Sequence, residues 1–192
     1  FEMEDTGKRN LQGLDKPILD SLGIDKNKPE KQQRNQTGSP ILEEGDILLN
    51  TTLAETSDWQ QVDLPVVSTL RHFCIETLSS YTEDNQACIS EVDLLDDKGQ
   101  PIDKTKWEVV YVSSEQADKN LGIAENLFDG DISSFWHTDP ATEPGQPHRI
   151  IVDIKEIYKI SALRFKVRKG AFLSGKVKEI NVYGRPQFFL FH

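Results

Sequence analysis

One stretch of the chain, residues 126–136, concentrates oxygen-bearing side chains around a glycine. Asp129, Gly130 and Asp131 form an Asp-Gly-Asp turn, and Ser134 follows it closely. Calcium takes roughly six to eight hard oxygen ligands, including carboxylates and carbonyls, and glycine permits the positive φ that such a turn can require. The spacing of an EF-hand loop is absent. The stretch therefore suits a calcium site of another type, and an ordinary Asp-Gly turn is the alternative.

A second group of residues combines aromatic rings with planar hydrogen-bond donors. Trp136 and His137 are adjacent, His148 follows a turn rich in proline and glycine, and a later basic run contains Arg168 and ends at Phe172. Proteins bind sugars by stacking a ring on the apolar C–H face while Arg and His side chains bond the hydroxyls. The group therefore suits carbohydrate binding. The alternative is that Trp136 belongs to the core, as most tryptophans do, and that the arginines are surface residues.

No pattern in the sequence selects a catalytic centre. The chain has neither a His-Glu-x-x-His nor a Gly-x-Ser-x-Gly motif, and it has no phosphate-binding glycine loop. Acidic residues are abundant but lie mostly in turns, where carboxylates are usually solvated, although a glycosidase pair could be among them. We therefore expect that the chain is not an enzyme.

The two cysteines, Cys74 and Cys88, are too few for a four-cysteine zinc site. A turn-rich stretch, residues 79–85, separates them. If that stretch closes a hairpin, the two residues face each other and could form a cross-strand disulfide in an exported protein. Two buried free thiols are the alternative.

Composition restricts the class of partner. The 192 residues include 22 Lys and Arg against 32 Asp and Glu, which gives a net charge of −10. Binding to phosphates or to an anionic membrane surface needs a basic patch, which such a chain lacks. No apolar run approaches the ~20 residues of a membrane helix. We expect neither nucleic-acid binding nor membrane insertion.

Short strands must position these side chains. Residues 1–44 read as a polar N-terminal extension or linker, with one short helix predicted near residues 14–22. From residue 45 to 192 the pattern predicts an all-β sandwich or jelly roll. Its candidate strands are residues 46–49, 60–64, 72–77, 87–95, 107–113, 148–154, 160–167 and 177–183.

Four segments in order resemble the discoidin, or coagulation factor 5/8 type C, superfamily of galactose-binding-like domains, which includes family 32 carbohydrate-binding modules. Residues 107–115 resemble the opening strand of that family, and residues 124–138 its signature loop. Residues 147–154 and 160–168 are similar to two later strands, although Lys155 and Val167 replace the usual glycine and proline. The resemblance implies a jelly-roll β-sandwich.

The upstream residues 71–75 and 89–94 resemble strands that normally close this fold at its C-terminal end. Either the strands are permuted into one sandwich, or the chain is an excerpt in which one module ends and another begins. We expect one sandwich spanning residues 45–192, because half a module would leave open sheet edges.

The resemblance also implies ligands at individual positions. A structural Ca²⁺ would be held by Asp129, Asp131, Ser134, the carbonyl of Asn126 and a distant glutamate, for which Glu91 is the match and Glu179 the competitor. The sugar positions correspond to His137, Arg168 and Phe172, with Trp136 and His148 beside them. Ser174 stands before Gly175 where the family often has asparagine, which puts one amide contact in doubt.

These observations predict a non-catalytic carbohydrate-binding module with a glycan partner. We expect it to be part of a larger exported glycan-handling protein of a bacterium, located in the periplasm, at the cell surface or outside the cell. The alternatives are a protein–protein interaction or adhesion module on the same fold, and a fragment of a glycoside-active enzyme.

Overall fold

The chain folds into β-structure, as the sequence predicts. The computed structural model describes residues 38–141, 145–168 and 174–192. The strands are β1 (Pro40–Ile41), β2 (Ile47–Thr52), β3 (Gln60–Thr77), β4 (Cys88–Ile89), β5 (Glu91–Asp96), β6 (Glu108–Val112), β7 (Trp136–His137), β8 (His148–Lys166), β9 (Glu179–Arg185) and β10 (Leu190–Phe191). The helical segments in these ranges are short 3-10 turns at Glu44–Asp46, Asp118–Asn120 and Ala124–Phe128. None of the helices described is long and apolar enough to cross a membrane.

Two long strands, β3 and β8, connect the layers of the sandwich. They pair antiparallel along most of their length, and register shifts interrupt the pairing. The second half of β3 and the first half of β8 lie in a five-stranded layer of order β2-β9-β3-β8-β6. The other halves pair with each other, and β8 pairs there with β5, which makes a three-stranded layer.

The core lies between these two layers. In β3, Phe73 and Ile75 pair with residues of β8 and are fully buried in the main apolar cluster. Leu94 of β5 and Phe165 of β8 belong to the same cluster from the three-stranded layer. Since strand side chains alternate between faces, one face of each layer supplies this core, and the arrangement is the predicted β-sandwich.

The candidate strands are mostly in place, but two are longer than predicted. Residues 60–64 and 72–77 are parts of one strand, and so are residues 148–154 and 160–167. The connecting residues break the alternation because they bulge: Val66 is 71% exposed, and Lys155 has a φ of 72°. Backbone pairing resumes beyond each bulge, so the strand continues. Candidate 87–95 is instead split into β4 and β5.

Strands that come before the signature loop in sequence share one sheet with strands that come after it. Upstream β3 pairs with β8 and β9, and upstream β5 pairs with β8. The described ends also meet, because β1 pairs with β10 and Ser39 exchanges two backbone hydrogen bonds with His192, at 3.0 and 3.1 Å. The predicted helix near residues 14–22 and the extension as far as residue 37 lie outside the described residues.

The two cysteines are free thiols, and both are buried. The predicted hairpin between them does not form: Cys74 pairs with Ile151 and Tyr183, whereas Cys88 pairs with His137. The disulfide alternative is therefore wrong and the free-thiol alternative is confirmed. Burial raises the pKa of the Cys88 thiol to about 12, so it is protonated at neutral pH.

Candidate functional site

The Asp-Gly-Asp turn is a closed loop held by its own side chains. Asp129 accepts a hydrogen bond from the Asp131 backbone N–H at 2.9 Å, and its other oxygen lies 2.5 Å from the Ser134 hydroxyl. Asp131 accepts hydrogen bonds from the Ser133 backbone and hydroxyl at 2.9 and 2.6 Å. Gly130 has a φ of 78°, a conformation that favours glycine. Hydrogen bonds to the two carboxylates therefore hold the loop in its shape.

Glu91 reaches this loop from β5. Its Oε2 accepts the Gly130 N–H at 2.9 Å and contacts the Lys104 ammonium at 2.6 Å. Its Oε1 is buried and has no hydrogen-bond partner among the described residues. Burial raises the pKa of this carboxyl to about 7, against the opposing effect of Lys104 and with a further increase from Asp129. A buried carboxylate oxygen without a partner, beside a second carboxylate, is an environment that suits a cation.

Asn126 supports the loop through its side chain. Its amide donates to the carbonyls of Asn120 and Phe135 at 3.1 and 3.0 Å, and the residue is buried. Three or more His, Cys, Asp or Glu side chains do not gather as a metal cluster anywhere in the described ranges. A cation here would therefore depend on Glu91 and Asp129 together with carbonyl and hydroxyl oxygens, and hard cations accept such a donor set.

His137 and Arg168 come together at one end of the sandwich. The Arg168 guanidinium carbon lies 4.0 Å above the centre of the Phe135 ring, and Phe135 contacts the His137 ring edge-on at 6.4 Å. His137 Nδ1 lies 2.5 Å from the Thr138 carbonyl, and Nε2 lies 2.8 Å from the Ser174 hydroxyl. Because a carbonyl only accepts, Nδ1 carries a proton, and in the neutral ring Nε2 accepts from Ser174.

The protonation state of His137 follows from its surroundings. Burial lowers the pKa of its imidazole, against the opposing effect of the Thr138 carbonyl. The ring is therefore neutral at neutral pH, which agrees with one donating and one accepting nitrogen. In this state His137 orients the Ser174 hydroxyl, and Arg168 is the cation of the pair.

Like His137, which is 4% exposed, Trp136 and His148 are buried and do not present their rings to solvent. Trp136 is 0% exposed, and its indole N–H donates to the Ser114 carbonyl at 3.0 Å. His148 is also fully buried, and its Nε2 lies 2.5 Å from the Asn85 carbonyl. Both side chains therefore hold loops in place. Phe172 lies outside the described residues.

Sequence reasoning missed the loop at residues 80–86, which it treated only as a turn between the cysteines. Asp84 of this loop accepts the backbone N–H groups of Gln86 and Gly175, each at 3.1 Å. Burial acts to raise the pKa of the Asp84 carboxyl, but these two hydrogen bonds together with those from the Thr82 and Ser80 hydroxyls lower it overall. The polar composition of the loop predicts a turn, but nothing local predicts that Asp84 fixes Gly175 beside Ser174.

A second omission is Lys104, which lies in the turn-rich stretch between β5 and β6. Its ammonium contacts Glu91 Oε2 and Asp93 Oδ1, both at 2.6 Å. Asp93 also accepts from Arg164 at 2.7 Å. An isolated lysine in a turn carries no sequence signal for such a contact, because lysines of this kind are usually solvated.

Two comparisons with known proteins bear on this site. Residues 109–187 match the family model of the F5/8 type C domain. A stretch of 84 residues is 33% identical to a protein named sialidase from Micromonospora viridifaciens. That match covers 43% of this chain and 13% of the relative, so the shared part is a small portion of a longer protein. The resemblance predicted from the sequence is thereby confirmed.

Proposed function

Since residues 109–187 match the family model of the F5/8 type C domain, we propose that the chain is a non-catalytic carbohydrate-binding module of a larger exported protein that handles glycans in a bacterium. The observation that supports this most directly is the meeting of Arg168, His137 and Ser174 at one loop end of a rigid β-sandwich. Rigid scaffolds commonly carry binding residues on such loops. The identity shared with a sialidase is in keeping with a glycan ligand.

Arg168, Ser174 and Phe172 each have a separate role in this proposal. Arg168 is half-buried, and the ring of Phe135 limits its orientation. Its planar fork can donate two hydrogen bonds to neighbouring sugar oxygens. Ser174 donates to His137 Nε2, so its oxygen is oriented to accept from a sugar hydroxyl. Phe172 is the residue that the family resemblance assigns to stacking.

We expect the affinity of a single module to be modest. A few hydrogen bonds in a solvent-accessible site give weak binding, because each replaces a hydrogen bond to water. Attachment to a larger polypeptide, or display of several modules, raises the effective concentration and compensates for this weakness.

The test is a glycan array and calorimetry on the purified chain, with calcium and with chelator. We expect binding to a limited set of glycans that competes with the free sugar. If the folded chain binds no glycan under either condition, the carbohydrate proposal is wrong. Thermal unfolding of the same sample establishes that the protein assayed is folded.

A second candidate function, a protein–protein interaction module, is favoured by one observation. Phe135, Trp136 and His148 are all buried, so the described part of the loop end presents none of these rings to solvent. A loop end poor in exposed aromatic residues offers a sugar no ring on which to stack, which makes a protein partner the alternative. The glycan array separates the two, since only a carbohydrate-binding module binds glycan. The Phe172→Ala variant then tests whether Phe172 provides the stacking ring.

We also propose a structural Ca²⁺ at the Asp-Gly-Asp turn. Glu91 and Asp129 would supply carboxylate oxygens, and Asn126 and Ser134 would supply carbonyl and hydroxyl oxygens. Asp129 is the more direct candidate of the two acids, because its charge raises the pKa of the Glu91 carboxyl. Both acids also accept hydrogen bonds within the loop. The ion would neutralise the buried Glu91 oxygen and tie the loop to β5.

Calcium is therefore expected to raise the melting temperature of the chain. A ligand present at about 100 times its Kd adds about 2.7 kcal/mol, which corresponds to about 5–10 °C for a domain of this size. The Asp129→Asn variant should lose most of this shift, as measured by differential scanning fluorimetry in EDTA and in calcium. The matched control is Asp97→Asn, an exposed acid in a turn. A calcium shift equal in both variants would exclude Asp129 as a ligand.

A further inference from the structure

Within the described residues, Lys104 is the cation in contact with the buried Glu91 of β5. All three N–H bonds of its ammonium have acceptors, since it contacts Glu91 and Asp93 at 2.6 Å and the Val92 carbonyl at 3.3 Å. Its side chain is only 18% exposed. An ammonium held by three acceptors and mostly shielded from water is a fixed part of the site rather than a solvated surface group.

The contact reaches the loop through a single oxygen atom. Glu91 Oε2 accepts both the Lys104 ammonium and the Gly130 N–H, the latter at 2.9 Å. The two contacts, Lys104 to Glu91 and Glu91 to Gly130, therefore connect the turn before β6 with the Asp-Gly-Asp loop. This connection contains no metal, so it can hold the loop against β5 when no ion is bound.

The two carboxylates that contact Lys104 differ in the number of cations around them. Asp93 has a second cation, Arg164, at 2.7 Å. For Glu91, Lys104 is the cation in contact within the described residues, and the second oxygen Oε1 is buried without a hydrogen-bond partner. Loss of the lysine charge would thus leave Asp93 paired with Arg164 but Glu91 without a cation. The buried carboxyl would then either stay ionised without compensation or take up a proton and lose its charge-assisted hydrogen bonds, and either state costs stability.

From this arrangement we propose that Lys104 is a built-in counter-cation that braces the loop without metal and sets how tightly the loop binds calcium. Only the second part of this proposal, the effect of Lys104 on calcium affinity, rests on the calcium site proposed above. Lys104 and Ca²⁺ would share the Glu91 carboxylate, so the two positive charges repel each other. The lysine therefore weakens calcium binding and at the same time reduces the need for calcium.

The experiment replaces Lys104 by methionine, which keeps most of the side-chain length and removes the charge. Lys106→Met is the matched control, since Lys106 is exposed and two residues away. Lys104→Arg retains the charge, and Lys104→Met combined with Glu91→Gln removes both partners. Melting temperature in EDTA and in calcium, and calcium Kd by calorimetry, are measured for each full-length variant.

In EDTA we expect Lys104→Met to melt on the order of 5–10 °C below the wild type, because a buried partner is lost. Lys106→Met should be unchanged, and the double variant should recover part of the loss. If the double variant is no more stable than Lys104→Met, or if both lysine variants behave alike, the bracing role is wrong. A Lys104→Met chain that folds only with calcium supports it.

The calcium arm is read separately. We expect Lys104→Met to bind calcium about tenfold or more tightly than the wild type, while Lys104→Arg stays close to it. Equal calcium Kd values for Lys104→Met and the wild type would overturn the tuning role. Absence of calcium binding in every variant would overturn the calcium site itself, and the comparison in EDTA would still decide whether Lys104 braces the loop.

Discussion

Replacing Arg168 by alanine is expected to weaken glycan binding about 10- to 100-fold. A hydrogen bond from a charged group contributes about 1.5–3 kcal/mol, and each 1.4 kcal/mol is a factor of about ten in Kd. Calorimetry or a titration on immobilised glycan measures the change. The glycan Kd of Arg168→Lys should fall between those of the wild type and Arg168→Ala, because a lysine keeps the charge but loses the planar fork.

Two comparisons make this result specific to the loop end. Lys98→Ala removes the same charge from an exposed turn and should leave the Kd unchanged. Melting temperatures of the three variants report any effect of losing the contact between Arg168 and Phe135 on stability. Undiminished binding by a folded Arg168→Ala chain would place the sugar site elsewhere on the module.

Replacing Trp136 by alanine is expected to be the most destabilising single change at the site. Truncating a fully buried Trp costs about 3–5 kcal/mol through lost burial and the cavity that remains. The Ser114 carbonyl would also lose its indole donor. Since domains are stable by only about 5–15 kcal/mol, equilibrium unfolding in urea should show a large shift of the midpoint or a chain that no longer folds.

The matched control for this change is Trp59→Ala. Trp59 is 39% exposed, and its contacts are with the cations of Arg164 and Lys166 at 5.3 and 6.0 Å from the ring centre. Its loss should cost about 1 kcal/mol or less, because exposed cation–π contacts are weak. Similar destabilisation by the two variants would contradict a core role for Trp136. Trp136→Phe is expected to fold and to bind glycan like the wild type.

The all-β class could be predicted from sequence because strand faces leave a local signal. In β8, Ile150 and Val152 lie on the opposite face from Ile151, and this alternation alone predicts a strand. The structure also buries the face of Ile151, in a second apolar cluster with Tyr183 and Phe189. The full length of β3 and β8 could not be predicted in this way. Bulges at positions such as Val66 and Lys155 interrupt the alternation without ending the backbone pairing.

The candidate site could be predicted only as a set of residue types near one another in sequence. The loop 126–136 and the pair of His137 and Arg168 were identified because their chemistry is concentrated in short segments or matches a family pattern. Lys104 and Asp84 were not, because their roles depend on contacts with Glu91 and Gly175, which come from distant strands or turns. For Trp136 the difficulty is different. An aromatic residue beside a site gives the same sequence signal whether its ring is buried or exposed, so the sequence leaves both interpretations open.

The pairing of β1 with β10 has a consequence for how the module can be attached to other polypeptide. Because Ser39 and His192 are hydrogen-bonded neighbours, polypeptide joined at either of these positions leaves from one point on the surface, about 5 Å apart, which is the spacing of paired strands. Such geometry favours insertion of the module into a surface loop of a host domain and tolerates circular permutation, since neither arrangement stretches the chain.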